Sequence, residues 1–404
     1  MDLSRVRVGD REHWENGPPH ELFKTLRREC PVHWTDGLTE FPDDPGFWSI
    51  TRAEDVRTVS RDWRTFSSEL GGIVGTNSIL PLELQRAMFI GMDPPKHDRL
   101  KALFQRGFTP RRIAEHEPRI RKITTNVLDR LEGRTHADLV HDLAQPVVSR
   151  VIGSFMGIPE EDDALWAELM NAVLGAGDPD LNPEPQAVME RIIPEVFERC
   201  REIIADRREN PTDDLTSVLV HAEIDGSRLE EHEIIMGFFL LMAAGNDSTR
   251  ATFCSGMRAL LEDRKQWRML IEDPSLIPSA IEESLRMFPA FAHFARTATR
   301  DVELGGRLIR KGDKVLMWYP SSNRDESVYE DPDRFDVTRN PDHQAFGAGG
   351  RHFCLGAALA RLELKVLFEE TLARFPEMEP AGEPKPVVNP FANQLKTLPV
   401  RLRS

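Results

Sequence analysis

The sequence lacks the features that would send it to a membrane, an oxidising compartment or a nucleic acid. No run of eighteen apolar residues occurs in its 404 residues, so no segment reads as a bilayer-spanning helix. The first twenty residues, MDLSRVRVGDREHWENGPPH, hold no apolar core of signal-peptide length. Cysteines number only four (Cys30, Cys200, Cys254 and Cys354), scattered and without a C-x-x-C pair. That excludes a disulfide framework and a zinc knuckle. Lys plus Arg total 52 against 67 Asp plus Glu, and a net charge of -15 argues against a nucleic-acid binder. Repeats and low-complexity tracts are missing too. What remains is the expectation of a soluble, cytoplasmic protein.

What is present concentrates in FGAGGRHFCLGAALARLELK, residues 346–365. Leu355, Leu359, Leu362 and Val366 fall on one helical stripe, so Cys354 stands at or just before a helix N-terminus. The partial positive charge there favours a thiolate. Gly347, Gly349 and Gly350 let the backbone approach something large and flat, and Gly356 keeps one face of the first turn clear. A thiolate in an apolar, glycine-walled pocket needs a metal as its partner. The plainer alternative is a buried cysteine beside an ordinary turn. It leaves the conjunction of glycines, basic residues, cysteine and helix unexplained.

Most of the chain reads as helix, over 19–29, 53–60, 97–105, 113–132, 138–156, 161–174, 186–208, 213–222, 230–262, 264–271, 276–287 and 355–374. Short strand signals lie at 47–51, 294–298, 302–304, 307–310, 314–319 and 396–402. The stretch DPDLNPEP at 178–185 reads as a loop. The expected architecture is one domain over 1–404, mainly α with small β-sheets. Its β-rich part is expected at roughly 40–52, 294–319 and 390–402.

The longest helical stretch, 230–262, spans on the order of 50 Å at 1.5 Å per residue. Its middle breaks local preference. Apolar Phe238, Phe239, Leu241 and Met242 are followed by Gly245, Asn246, Asp247, Ser248 and Thr249. Glycine costs roughly 1 kcal/mol inside a helix, and the polar four compete for its backbone bonds. Such breaks are expected at functional sites. An acid next to an alcohol, beside a notch at Gly245, reads as a proton relay to a bound ligand. Elsewhere, Glu283 and Arg286 share a helix face at i,i+3, and Arg334 downstream extends the pair to a triad.

In this order the segments resemble the cytochrome P-450 haem-thiolate monooxygenase family, over nearly the whole chain. DPPKHDRLKALFQRGFTPRR (93–112) resembles the helix covering one haem face, and AAGNDST (243–249) the oxygen-activating helix. EESLR (282–286) and PDRF (332–335) resemble the structural Glu-Arg-Arg triad, here Glu283, Arg286 and Arg334. FARTATRDVELGG (294–306) resembles the strand with a haem-propionate arginine, and FGAGGRHFCLG (346–356) the cysteine-ligand loop.

The resemblance implies the P-450 fold, with haem b (iron protoporphyrin IX) between the long central helix and the cysteine loop. It makes Cys354 the axial thiolate and metal ligand, which favours O–O cleavage. It makes His97, Arg296 and His352 propionate donors, with Lys101 a further candidate where arginine is usual. Phe346 shields the sulfur, Gly347 and Gly356 belong to the same cofactor-binding loop, and Ala244 and Gly245 leave room for dioxygen. Asp247 and Ser248 form the acid–alcohol pair, with Thr249 available to share the role. Phe346 precedes Cys354 by eight residues, one more than usual, as in a bacterial subgroup that includes sterol and isoprenoid hydroxylases. Phe238, Met242, Phe291, Phe294 and Phe391 are candidates for the substrate pocket.

The implied reaction inserts one atom of O2 into a C–H bond of a hydrophobic small molecule: a steroid, a terpenoid or a fatty-acid-like chain. No flavin or nicotinamide fingerprint is present, so electrons should come from a separate ferredoxin-type partner. Lys96, Arg99, Lys101, Arg106, Arg111, Arg112 and Arg351 supply a basic face for it. A monomer without nucleic-acid or membrane partners is expected. The alternatives are a peroxygenase fed by hydrogen peroxide, a haem-based sensor without turnover, and a zinc site built from His343, His352 and Cys354.

Overall fold

A five-stranded sheet anchors one side of the molecule. Its strands run in the order Val32–Thr35, Phe47–Ile50, Lys314–Trp318, His293–Ala298, Phe66–Ser67. The Lys314–Trp318 strand pairs parallel with Phe47–Ile50 and antiparallel with His293–Ala298, with Val315 opposite Arg296. The computed structural model describes every residue except 1, 78–79, 176–177, 179, 182–186, 225 and 404. Alternation along His293–Ala298 sends Phe294 and Arg296 to the same face. Both line the main cavity.

Helices make up most of the rest, with four smaller sheets of two or three strands among the described residues. Glu231–Glu262 runs unbroken for 32 residues, about 48 Å, through the apolar core. Its start is fixed by a capping box, in which the Glu233 carboxylate accepts from the Glu230 N–H at 2.9 Å. It packs against Gln145–Met156 on one side and Ala357–Arg374 on another. Among the described residues no helix is long and apolar enough to cross a membrane.

Several boundaries differ from the sequence reading, and proline accounts for some of them. The stretch 113–132 divides at His116 into Pro110–Glu115 and Glu117–Asp129, with Pro118 in the first turn of the second helix. The stretches 138–156 and 186–208 each open with a wide π-helical turn, Leu139–Ala144 and Val188–Ile192. In both, a proline (Pro146, Pro194) follows in the next helical turn. Proline has no N–H and its ring crowds the preceding carbonyl, so the upstream ladder widens. The strands Val32–Thr35, Phe66–Ser67 and His136–Asp138 and the helix Leu82–Ala87 are additional to the expected elements. Tyr319 begins a helical turn, Tyr319–Ser322, rather than ending a strand. The loop expected at 178–185 lies largely outside the described residues.

Candidate active site

A cavity of about 260 Å³ separates the central helix from the loop that precedes Ala357–Arg374. Cys354 is an exposed residue and lines this cavity. Its backbone N–H donates to the Phe346 carbonyl at 2.9 Å, which closes the loop on itself. Burial pushes the Cys354 thiol up. The N–H groups of Gly356 and Ala357 and the charges of Lys101 and Arg361 pull the other way. The sulfur thus meets the N-terminus of the helix, as the glycine-then-stripe pattern predicts.

The loop glycines also let the loop pack closely on the protein itself. Gly347, Gly349 and Gly350 have φ of 90°, 87° and 86°, a region open to few residues but glycine. A Cβ on Gly349 would stand 2.9 Å from Arg61 Nε, and one on Gly350 would stand 2.8 Å from the Ser60 carbonyl oxygen. Gly349 and Gly350 thus approach the end of the helix Ala53–Arg61, while Gly347 lines the cavity. Gly356 has no atom within 4 Å of an added Cβ and lines the cavity, so this position does keep its side clear.

Basic groups gather in the cavity wall. His97 and His352 stack with ring centroids 4.2 Å apart. His352 Nδ1 is buried without a partner, and its Nε2 lies 3.2 Å from Ser68 Oγ. Burial, then the nearby Arg296, holds His352 neutral. Burial likewise lowers His97, against the pull of Asp98. Arg296 is buried and donates to the Ala295 carbonyl at 2.6 Å. Among the described residues it has no carboxylate at ion-pair distance. Lys101 also lines the cavity, but its ammonium donates to the carbonyls of Arg351 and Phe353, the latter at 2.8 Å. It ties the covering helix, Lys96–Gln105, to the cysteine loop.

On the central helix, Ala244, Gly245, Ser248 and Thr249 line the cavity. Asp247 does not. It points into a buried polar cluster, where Oδ1 accepts from Asn246 at 2.9 Å and lies 3.1 Å from Arg250 Nη2. Arg250 reaches on to Gln145 and to Gln394, the latter at 2.5 Å. Asp247 Oδ2 has no partner, and burial raises the carboxyl against the charge of Arg250. Ser248 Oγ donates to the Ala244 carbonyl at 2.7 Å, one turn back. The notch expected at Gly245 is filled: a Cβ there would stand 2.9 Å from Ile152 Cδ1. The glycine lets two helices touch.

One group escaped the sequence reading. Glu363 is buried on Ala357–Arg374, lines the cavity and bonds the Thr249 hydroxyl. Burial pushes its carboxyl up to about 8. The signal was available: Glu363 stands four residues after Leu359 and three before Val366, inside the apolar stripe.

The frame behind the loop also needs a correction. Glu283 and Arg286 are fully buried and joined by two bonds, 2.7 and 2.8 Å. The third cation is Arg339, whose Nε donates to Glu283 Oε1 at 3.2 Å. Arg334 turns outward to Asp336 with its side chain 61% exposed, and only its carbonyl meets Arg286, at 3.3 Å. Next to this frame, Glu282 accepts from Arg361 and His343, and those bonds hold it at about 2 despite burial. His343 is therefore committed to a carboxylate. No group of three His, Cys, Asp or Glu side chains that could hold a metal occurs among the described residues.

The apolar wall is partly as expected. Phe291, Phe294 and Phe391 line the cavity and pack on one another, with centroids 5.2 to 5.7 Å apart. Phe238 and Met242 face away. Phe238 packs on Trp166, and the lining from this stretch is Phe239, Leu240, Leu241 and Ala243.

Comparison with known proteins accounts for this arrangement. The family model described as Cytochrome P450 matches residues 184–402. The methyl-branched lipid omega-hydroxylase of Mycobacterium tuberculosis is 37% identical, over 99% of this chain and 95% of that protein. The chain is a cytochrome P450. Linalool 8-monooxygenase of Pseudomonas putida is 35% identical, over 95% of each chain. A Mycobacterium marinum cytochrome P450 in complex with pseudoionone superposes at a TM-score of 0.92, with 36% identity and 98% of both chains covered. This P450 is accordingly a haem-thiolate monooxygenase with O2, a redox partner and a hydrophobic substrate.

The residues fit haem. Cys354 offers a sulfur facing the cavity. Arg296 offers a buried guanidinium without a carboxylate, and His352 an orphaned ring nitrogen, as the acidic edge of a porphyrin requires.

Proposed function

We propose that this P450 hydroxylates an uncharged, branched aliphatic chain near its end, with electrons delivered by a ferredoxin-type protein. The observation that carries this reading is the distribution of charge in the cavity. His97, Lys101, Arg296 and His352 cluster near the cysteine loop, and Glu363 belongs to the helix behind it. The opposite wall, from Phe291, Phe294 and Phe391 to Leu240 and Leu241, carries no charge. A charged substrate head there would lose its hydration without a partner. A methyl-branched lipid, linalool and pseudoionone, the compounds named for the similar proteins, share a branched hydrocarbon chain.

In this reading Cys354 would ligate the haem iron, and Arg296, His97 and His352 would hold the propionates. Lys101 acts through the loop carbonyls. Bound haem supplies the reductive cleavage of dioxygen, in the balance RH + O2 + 2 electrons + 2 H⁺ → ROH + H2O. The chain's own part is to exclude water and to hold protons. Ser248 and Thr249 line the cavity, their hydroxyls bonded to the Ala244 carbonyl and to Glu363, and Asp247 and Glu363 are acids whose burial favours the protonated form. Lys96, Arg99 and Arg351 are the cations offered to an acidic electron donor, Arg99 and Arg351 while also pairing with Glu233 and Asp98.

The test is a spectroscopic titration. Branched terpenoid alcohols and methyl-branched esters should shift the Soret band of the ferric protein, and reconstituted turnover should place the hydroxyl at the chain end. Shifts given only by straight-chain acids would overturn the reading.

A further inference from the structure

A second cavity, of about 100 Å³, adjoins the first beyond the phenylalanine wall. Val74, Leu80, Val173, Leu174 and Phe391 line both, so only side chains divide them. Its far walls come from Leu38, Phe47, Val188, Leu316 and Trp318, drawn from the N-terminal segment, the sheet and the turn Val188–Ile192.

We infer that this second cavity is a subsite for the far, non-reacting end of an elongated substrate, and that it takes a neutral hydrocarbon end. The inference deepens the functional reading above and rests on it.

All but one of the side-chain polar atoms in this lining are already committed; the exception is Trp318 Nε1, buried without a partner. His293 Nε2 accepts from the Gly75 N–H at 3.0 Å and its Nδ1 donates to the Pro390 carbonyl at 2.9 Å. Burial holds this imidazole at about 4, hence neutral. Asn389 Oδ1 accepts from the Phe391 N–H at 2.7 Å, and its Nδ2 donates to the Leu174 carbonyl at 3.3 Å. Thr76 bonds Asp44. No Lys, Arg, Asp or Glu is among the described lining residues. Among the described lining residues a carboxylate or phosphate would find no cation and only the Trp318 N–H as an unbonded side-chain donor. A hydrocarbon loses nothing and gains about fourfold in affinity per methylene buried. An apolar cavity of about 150 Å³ takes a benzene, so this one holds about four carbons.

The same five residues explain how the subsite is reached. Phe391 belongs to the aromatic cluster over the main cavity, and Leu174 is tied by its carbonyl to Asn389. A chain long enough to pass Phe391 continues into the second cavity without crossing a polar group.

The experiment measures Kd from the Soret shift for methyl esters of methyl-branched acids, lengthened one methylene at a time, with the free acids as the charged comparison. The holoprotein and the variants Val188→Phe and Leu38→Phe, which narrow the second cavity from two different elements, are titrated in parallel. Their haem content is checked by the reduced carbonyl spectrum. Affinity should rise about fourfold per methylene over about four carbons and then level off. Both variants should lose that gain while binding the shortest ester like the parent protein. The inference is overturned if lengthening gives no gain, if both variants keep the gain, or if the free acids bind tighter than their esters. If no chain of any length shifts the Soret band, the functional reading falls and this one falls with it.

Discussion

The two faces of the main cavity are held by different means. On the sulfur side, backbone conformation and paired charges fix positions. Glycines at positive φ press the loop onto Ser60 and Arg61, and Glu282 and Glu283 each sit between two cations or a cation and an imidazole. On the distal side, stacked phenylalanines and a polar cluster do the work, and that cluster is incomplete. Asp247 Oδ2 and Arg250 Nε are both buried without partners. A satisfied network rigidifies, whereas an unsatisfied one has alternatives close in energy. The sulfur side is thus the face locked by backbone and paired charge, with His352 Nδ1 the group its loop leaves open, and the distal side is held by packing and an incomplete polar cluster.

The sharpest break in the locked face is Cys354→Ser. It should abolish monooxygenation and the red-shifted Soret band of the reduced carbonyl complex. Retention of either would mean that the sulfur is not the ligand. Next in size is Arg286→Leu, which leaves Glu283 buried with Arg339 as its sole cation. Removing one partner of a buried pair costs about 3–5 kcal/mol, to be read from denaturant unfolding of the holoprotein.

The distal face should respond in rate rather than in stability. Asp247→Asn keeps the shape and most of the cluster's bonds while removing the acid. Hydroxylation should slow on the order of a hundredfold, with haem content and substrate Kd unchanged. An unchanged rate would show that protons reach the cavity without Asp247.

Glu363 joins the two faces, and its effect is expected in pH dependence. Its carboxyl lies near 8 in the folded protein against an ordinary value of 4.5. The folded state therefore keeps a proton that the unfolded chain gives up, and stability falls as pH rises from about 4.5 to 8. Glu363→Gln removes that loss. Its Tm should match the parent at pH 4 and exceed it at pH 9. Parallel Tm curves at both ends would show that Glu363 titrates normally.

Legibility in the sequence followed the same division. Cys354, its glycines and the helix after it were readable because no other residue types satisfy a thiolate ligand and positive φ together. The chain's helical character was readable from period alone. Directions were not. Asp247 reads from the sequence as the acid of a proton relay, but the side on which it lies depends on Arg250, Gln145 and Gln394, two of them distant in sequence. Phe238 and Met242 share the apolar run with Phe239 and Leu241, and an all-round apolar helix does not announce which flank meets the cavity. Gly245 read as a notch because Ile152, which fills it, comes from another helix.

The smallest expected effect tests the one place where motif and geometry part. Arg334 follows the motif for the third member of the charge frame, and Arg339 occupies that place. Arg334 is mostly exposed and pairs with Asp336, and only its backbone touches Arg286. Its truncation removes one surface ion pair, so Arg334→Ala should change unfolding free energy by no more than about 0.5 kcal/mol. Arg339 is largely buried and bonds Glu283 Oε1 directly, with further bonds to the Glu330 and Asp331 carbonyls. Arg339→Ala strips a charge-assisted bond worth about 1.5–3 kcal/mol from a fully buried carboxylate. Denaturant midpoints of the two variants should therefore separate clearly. Equal midpoints, or a larger loss from Arg334→Ala, would return Arg334 to the frame and make the geometry at Glu283 wrong.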